Sequence, residues 1–305
     1  MAAALAVPVM VTLAFDRSPF VVVGALFVLV VPFEKLFPRH RQRLRRRAVG
    51  TDVAYALASP VLRALGLAVA VPLAVGSLLW LPGLALRPIV STLPSVPRLL
   101  VGFVLFDVSI YWAHRFSHEV PFLWRFHAIH HSTRQLDWVS GFRNHPLDGA
   151  FFAPAFVLLV TSGFAPRFAG ALAVIQIASG LFLHANVRWR WRPLQKLVIT
   201  PEFHHWHHAD EPDARNTTFS TFLPAWDLLF GTYYVPSDRR PQTYGVQEPV
   251  PDDIVGQLWF PFHGLRNPLR MARHPWRSAK DVAGMLRRGA AQMAVVTRRT
   301  RQDRP

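Results

Sequence analysis

Histidine is concentrated in a few short segments of this chain. Of the 14 histidines, four lie within the five residues of "HHWHH", and others occur in "HRFSH" and "HAIHH". Spacings of three and four residues place side chains on one face of a helix, about 5–6 Å apart at Cβ. Imidazole is the commonest metal ligand in proteins, so these faces predict a metal site. The histidines with this spacing are His114, His118, His127, His130, His131, His204, His207 and His208.

The number of histidines indicates more than one ion. A zinc ion takes four ligands, whereas these segments, together with His184 in "FLHAN", offer enough imidazoles for two ions. Carboxylates are scarce near the histidines, which disfavours Mg²⁺ and Ca²⁺. The chain has no cysteine, so thiolate sites are excluded.

The start of the last histidine helix can be predicted from its own residues. Thr200 is suited to the N-cap, and Pro201 is suited to the first helical position. His205 directly follows His204, so it should point about 100° away from the metal-facing side. We therefore expect His205 to face solvent or a neighbouring helix.

Several other polar residues are candidates to support the histidines. A ligating histidine commonly donates its second ring N–H to a carboxylate. Asp107 is favoured because it lies on the helical stripe of His114 within an otherwise uncharged segment. His145 in "RNHP" is either a ligand or a supporting residue, whereas Tyr111 and Trp124 are expected to be packing residues. The candidate carboxylates are Asp107, Asp137, Asp148 and Asp227.

Long apolar blocks separate the histidine segments. Such blocks approach the length needed to cross about 30 Å of hydrocarbon. We therefore predict an all-α integral membrane protein with about four to five transmembrane helices. Four of these blocks contain no Asp, Glu, Lys or Arg: residues 18–33, 64–86, 149–166 and 168–187. In a fifth block, residues 99–112, Asp107 is the only charged residue.

Two basic segments predict the orientation. Residues 39–47 contain six arginines and no acidic residue, and residues 264–305 contain eleven basic residues against two acidic ones. Such segments beside membrane helices favour cytoplasmic retention and attraction to anionic lipid, rather than nucleic-acid binding. Following the chain from the first segment brings His114 and His184 to the same cytoplasmic face. We therefore predict a cytoplasmic, histidine-lined cap for two metal ions.

The combined motifs resemble a known family. "YWAHRFSH", "FHAIHHS", "RNHP", "FLHAN", "TPEFHHWHHAD" and "AWDLLFGTYY" are similar to motifs of the fatty acid hydroxylase superfamily, which includes the sterol desaturases. The resemblance covers about residues 99–234. It implies a non-haem di-iron centre that uses O₂ and two electrons to hydroxylate or desaturate a lipid chain or sterol. It also implies that the eight spaced histidines are ligands, with His184 as a ninth.

The sequence departs from the family pattern at one place, and the chain divides into three expected regions. Thr218-Phe219-Ser220 occupies the place where the family often has asparagine, an aromatic residue and glycine, and we expect this segment to shape the substrate side. Residues 1–96 are expected to form N-terminal membrane helices with a basic cytoplasmic loop. Residues 97–236 are expected to form the catalytic domain, and residues 237–305 a basic cytoplasmic tail.

Two other functions are compatible with a histidine-rich membrane protein. A membrane zinc metallohydrolase would need a general-base glutamate, but no HExxH motif occurs, and Glu119 and Glu202 only flank the histidine segments. A metal transporter or interaction protein is the other alternative. A transport path should run through the bilayer, whereas these histidines are expected at one face.

The electron source is expected to be a separate protein. The sequence has no G-x-G-x-x-G dinucleotide fingerprint, no cysteine for an iron–sulfur cluster and no visible haem domain. We predict a ferredoxin, or a cytochrome b5-like protein with its reductase, that docks on the cytoplasmic face. The other expected partners are a lipid substrate and the membrane.

Overall fold

The protein is built from helices that enclose the histidine segments. The structure is a computed structural model that describes residues 19–43, 45–76 and 80–263. Within these ranges the secondary structure is helical apart from the isolated bridges Pro38–Val187 and Ala209–Tyr244. Of the predicted basic tail, residues 237–305, the structure describes residues 237–263, and residues 264–305 lie outside the described residues, as do residues 1–18.

The helices are numbered in chain order. Helix α1 spans Pro19–Leu36, α2 spans Val49–Gly76, α3 spans Leu81–Thr92 and α4 spans Ser95–Glu119. Helix α5 spans Pro121–His131, α6 spans Pro146–Phe151, α7 spans Ala153–Thr161 and α8 spans Pro166–Leu183. Helix α9 spans Pro201–His207, α10 spans Ala225–Phe230 and α11 spans Ile254–Trp259. One 3₁₀ helix, Trp138–Phe142, matters for the site.

Three of the described helices are long and apolar enough to cross a membrane. They are Val49–Pro72 within α2, Ser95–Glu119 and Pro166–Leu183, and Pro146–Thr161 is a shorter apolar stretch. Within the predicted block 64–86, α2 is described as far as Gly76, and a separate helix begins at Leu81. The all-helical membrane class is confirmed, and the count of four to five spans stays a prediction.

Packing brings the ends of the long helices together. Helix α4 contacts α5 and α7, and α2 contacts α6 and the 3₁₀ helix. The Val120-Pro121 step separates α4 from α5, since proline cannot continue the hydrogen-bond pattern of α4. The chain therefore turns back between His118 and His127, and the two histidine-bearing helices lie side by side.

A buried ion-pair network ties the start of α2 to the histidine loop. Asp52 is fully buried and accepts hydrogen bonds from Arg46 Nη2 at 2.6 Å and Arg143 Nε at 2.7 Å. Arg46 Nε also lies 2.7 Å from Asp137 Oδ2. Buried charges of this kind must be paired, because an unpaired one carries a large desolvation cost. The network therefore fixes where residues 137–143 lie relative to the membrane helices.

Candidate metal centre

The last histidine helix begins as its residues predict. Thr200 is the N-cap, and its Oγ1 accepts a hydrogen bond from Phe203 N at 3.3 Å. Pro201 is the first helical residue, and His208 is the C-cap. All four histidines of "HHWHH" are buried. The N-cap prediction is confirmed.

The structure collects nine histidines into two groups at the ends of the helices. In each group the possible ligand nitrogens all lie within 4.8 Å of one another. One group has five members and the other has four, and neither contains an acidic residue. The first group is His114, His118, His127, His131 and His207, and the second is His130, His184, His204 and His208.

The outer ring nitrogens of several histidines are held by hydrogen bonds. His114 Nδ1 donates to Phe219 O at 2.7 Å, and His207 Nδ1 donates to Thr217 O at 3.1 Å. In the second group, His130 Nδ1 donates to Arg143 O at 3.1 Å and His184 Nδ1 donates to Gly180 O at 2.6 Å. A carbonyl only accepts, so the proton is assigned to Nδ1 in each case. Each Nε2 therefore presents its lone pair to the centre of its group.

The distances in the second group fit a shared cation. The Nε2 atoms of His130 and His184 lie 3.2 Å apart, as do those of His184 and His204, while those of His204 and His208 lie 3.1 Å apart. Two lone pairs facing each other at this distance repel. Nitrogens at about 2.0–2.1 Å from one ion lie about 2.9–3.4 Å apart in octahedral or tetrahedral geometry. The donor atoms are thus already at the spacing that a metal ion requires.

The first group contains buried nitrogens that have no protein partner. Among the described residues, Nε2 of His118, His127, His131 and His207 makes no hydrogen bond. A buried polar atom without a partner carries a desolvation cost, which an ion at the centre of the group would remove. The residues present therefore fit a metal in each group.

Burial keeps the histidines neutral. It lowers the pKa of His130, His131, His204 and His208 well below the usual value, and the neighbouring histidines lower it further. Burial lowers the pKa of His184 to about 4 and that of His207 to about 3. Only the neutral ring can bind a metal through nitrogen. The site is therefore in its ligating form at neutral pH.

Only one of the four candidate aspartates contacts a histidine of the two groups. Asp148 Oδ2 accepts from His127 Nδ1 at 3.0 Å. Asp107, the favoured candidate, instead accepts from Trp226 Nε1 at 2.8 Å and from Leu223 N, so that prediction is wrong. Asp107 and His114 lie on the same stripe of α4 but do not bond to each other, because His114 Nδ1 already donates its hydrogen bond to Phe219 O.

The remaining candidates support the site indirectly. Asp137 binds Arg46 and caps the 3₁₀ helix through Ser140 N. Asp227 accepts from the backbone N–H groups of Phe219 and Ser220, both at 2.9 Å. It therefore holds the loop whose carbonyl receives His114. Neither aspartate bonds to a histidine of the two groups.

His145 lies outside both groups. Its Nδ1 accepts from Leu147 N as the N-cap of α6, and its Nε2 donates to Leu258 O at 3.2 Å. Both ring nitrogens are used in holding the loop, so His145 is not placed to be a ligand or to orient one. The motif "RNHP" contributes instead through Arg143, whose carbonyl receives His130.

His205 faces neighbouring segments rather than solvent, which is one of the two placements expected from the sequence. Its side chain is fully buried. Nδ1 lies 3.1 Å from Tyr244 Oη, and Nε2 donates to Ala185 O at 3.1 Å. The ring points away from both groups and links α9 to two other segments. His205 therefore holds α9 against the segments that contain Ala185 and Tyr244.

The segment 217–220 lies behind the ligands. The Phe219 ring centroid is 5.2 Å from that of His118 and 6.0 Å from that of His114. Asn216 and Thr218 both have φ near +55°, a strained left-handed conformation that turns the carbonyls of Thr217 and Phe219 toward histidines. Residue types could not predict that this segment orients His114 and His207, because the contacts are made by backbone carbonyls.

Comparison with known proteins identifies the family. The fatty acid hydroxylase family model matches residues 99–232. An ornithine lipid hydroxylase, OlsE, of Rhizobium tropici is 30% identical over 247 residues, covering 79% of this chain and 73% of that protein. An alkylglycerol monooxygenase of Danio rerio is 27% identical over 154 residues, or 49% of this chain. No solved structure matches significantly.

The two histidine groups and these matches place the protein among the membrane oxidoreductases. The chain belongs to the fatty acid hydroxylase family. The relatives include lipid hydroxylases and monooxygenases. A very-long-chain aldehyde decarbonylase, GL1-7 of Oryza sativa, is 26% identical over 52% of this chain. The chain spans about a third of the length of the alkylglycerol monooxygenase it matches.

Proposed function

We propose that this protein is an O₂-dependent oxidoreductase that hydroxylates or desaturates a membrane lipid at a di-iron centre. The observation that carries the proposal is the pair of buried histidine groups, in each of which the possible ligand nitrogens lie within 4.8 Å of one another. In the second group, neighbouring Nε2 atoms are already 3.1–3.2 Å apart. The family relationship supports the same chemistry.

The two groups hold one iron each in this proposal. When bound, the iron ions supply the redox chemistry that allows O₂ to attack an unactivated C–H bond. The protein's own residues hold the ligands in place. Carbonyls of Phe219, Thr217, Arg143 and Gly180, and the Asp148 carboxylate, fix the ring orientations. Their hydrogen bonds also make the ligating nitrogens more basic.

The ligand count favours iron over structural or hydrolytic zinc. Zinc in proteins is almost always four-coordinate, whereas the first group offers five imidazoles. A hydrolase would also need a general base near the ions. Glu202 is buried, but its Oε2 lies 3.7 Å from Arg190 Nε and 3.6 Å from Arg240 Nε, and it belongs to neither group. A transporter would need ligands along the spans, whereas His114 and His118 lie in the last turns of α4.

The substrate is proposed to be an acyl or alkyl chain of a polar lipid, or a sterol. The names of the relatives include ornithine lipid and alkylglycerol as substrates. The ornithine lipid hydroxylase is matched along most of its length, so an ornithine-containing lipid is the first substrate to test. We also propose that the site faces the cytoplasm, because residues 39–47 contain six arginines, and Arg46 bonds to Asp137 in the loop that carries Arg143.

Metal content and lipid products test this proposal together. Purified protein should contain about two iron ions per chain, matching the two groups. Lipids of expressing cells should gain one oxygen atom or lose two hydrogen atoms, and His207→Ala should abolish the product. His263→Ala is the matched control, since His263 is exposed and lies outside both groups. One tightly held zinc ion would instead indicate a hydrolase, and loosely exchanging metal a transporter.

A further inference from the structure

A basic cleft lies beside the first histidine group. Its volume is about 720 Å³, and its lining includes Ser132 and Thr133, which directly follow His131. Arg143, whose carbonyl receives His130, also lines it. The far wall is formed by residues 246 and 248–252. The cleft therefore reaches the back of the proposed metal centre from the surface.

The cleft carries a large excess of positive charge. Seven arginines line it against two acidic residues, Glu248 and Asp252. Arg46 and Arg143 are paired with two carboxylates, Asp52 and Asp137, and Arg47 pairs with Asp252. Within the described part of the chain, the other four arginines form no ion pair, and all four are exposed. They are Arg41, Arg43, Arg45 and Arg134.

Trp124 connects this cleft with the histidines. Its ring centroid lies 5.1 Å from that of His118 and 5.5 Å from that of His131. Its Nε1 donates to Glu248 Oε1 at 2.8 Å, and Glu248 lines the cleft. One aromatic ring thus contacts two histidines of the first group on one side and the cleft wall on the other.

We propose that the cleft docks a one-electron carrier protein with an acidic surface, and that Trp124 is the contact through which its electrons reach the histidine groups. This inference rests on the proposed function. Unpaired arginines at a surface attract and orient an acidic partner. Electron tunnelling slows exponentially with distance, so a carrier must dock where an unbroken contact leads to the site. An anionic lipid headgroup would explain the arginines but gives no reason for the Trp124 contact.

The reaction balances with two such carriers. Each reduced carrier is oxidised by one electron. The two electrons and two protons from water reduce one atom of O₂ to water, while the other oxygen atom enters a C–H bond of the lipid. In desaturation, both oxygen atoms leave as water, and the lipid supplies the other two electrons and two protons.

Binding tests the docking surface without requiring turnover. A soluble [2Fe–2S] ferredoxin is the probe, and the protein is held in nanodiscs of phosphatidylcholine, so no anionic lipid competes. Reversing two charges with Arg43→Glu and Arg45→Glu should weaken binding about tenfold at low ionic strength, and much less at high salt. The matched control, Arg167→Glu with Lys196→Glu, makes the same charge change at exposed residues outside the cleft and should bind as the wild type does.

Equal affinity in the cleft variant and the wild type would overturn the docking proposal. So would loss of co-purified anionic lipid from the cleft variant with ferredoxin affinity unchanged, because the cleft would then bind lipid. Metal-free protein should bind the probe as well as the loaded protein. A protein that binds the probe through the cleft but holds only zinc would refute the proposed oxygenase function and leave the docking surface standing.

The contact role of Trp124 has its own test. Oxidation of reduced ferredoxin is followed anaerobically, by the absorbance of the ferredoxin, in protein with verified metal content. Trp124→Leu should slow this oxidation severalfold, with affinity unchanged, and Trp124→Phe should slow it less because a ring remains. Trp112→Leu is the matched control, since Trp112 contacts Tyr111, Phe116 and Phe230 rather than a histidine. Equal rates in Trp124→Leu and the control would overturn the role of Trp124.

Discussion

His127 Nδ1 and Asp148 Oδ2 lie 3.0 Å apart, and both side chains are buried. A carboxylate in this position orients the ring and makes the opposite nitrogen a stronger donor to a metal. The other oriented histidines use backbone carbonyls, which cannot be removed by substitution. Among the hydrogen bonds that orient the histidines, the His127–Asp148 pair is therefore the one that mutagenesis can test.

Replacing Asp148 should weaken metal binding without removing a ligand. We expect Asp148→Ala to lower metal affinity about 10- to 100-fold, and Asp148→Asn to have a smaller effect because its oxygen still accepts. Metal affinity is measured by competition with a chelator. The control is Asp238→Asn at an exposed position, and equal affinity in Asp148→Ala and this control would contradict the prediction.

Two adjacent histidines should control different ions. His207 belongs to the first group and His208 to the second. His207→Ala and His208→Ala should each reduce the metal content to about one ion per chain, and the double variant should lose both ions. Loss of both ions in each single variant would mean that the two groups act as one site. Elemental analysis of purified protein measures this.

His205→Ala should affect stability rather than metal content. The substitution removes two buried hydrogen bonds, each worth about 0.5–1.5 kcal/mol, and it also leaves a cavity. Tyr244 Oη and Ala185 O keep their other partners, His40 Nε2 and Val187 N. We expect a lower thermal unfolding midpoint with both ions retained. Loss of metal at an unchanged midpoint would show that His205 is a ligand.

The metal-free protein should lose stability in acid. The pKa of His184 is about 4 and that of His207 about 3 in the folded state, against an ordinary value of 6.5. The unfolded chain therefore binds protons first as the pH falls. The stability is full above about pH 6.5 and decreases toward pH 4, by about 1.4 kcal/mol per pH unit for each such histidine.

Thermal midpoints at several pH values between 7.5 and about 4 measure this dependence. His207→Phe removes one titrating ring, so its midpoint should fall less steeply with acid. A midpoint that does not change across this range would contradict the lowered pKa values.

Two ion-paired aspartates near the basic cleft should contribute very differently to the stability of the fold. Asp52→Ala leaves Arg46 and Arg143 buried without their shared partner, which should cost about 3–5 kcal/mol. Asp252→Ala breaks the exposed pair with Arg47 and should cost about 0–1 kcal/mol. Thermal unfolding compares the two variants, and similar midpoints would show that the Asp52 network does not hold the loop.

The local features of the site could be predicted because they depend on residues close together in the chain. Helical periodicity placed His204, His207 and His208 away from His205, and the Thr200-Pro201 pair marked the start of α9. The apolar blocks indicated membrane helices for a similar reason, since hydrocarbon excludes unpaired charges and backbone groups. These conclusions need no knowledge of how the helices pack.

The grouping of the ligands was decided by the tertiary structure. His130 and His131 are neighbours in the chain, yet they belong to different groups, because adjacent helical residues point about 100° apart and meet different helices. Spacing alone could not show that His131 joins His118 and His207. Nor could it show that Asp148 rather than Asp107 supports a ligand, since that depends on which Nδ1 atoms are already bound to carbonyls. Sequence thus indicated which side chains could bind metal, and packing determined which of them lie in the same group.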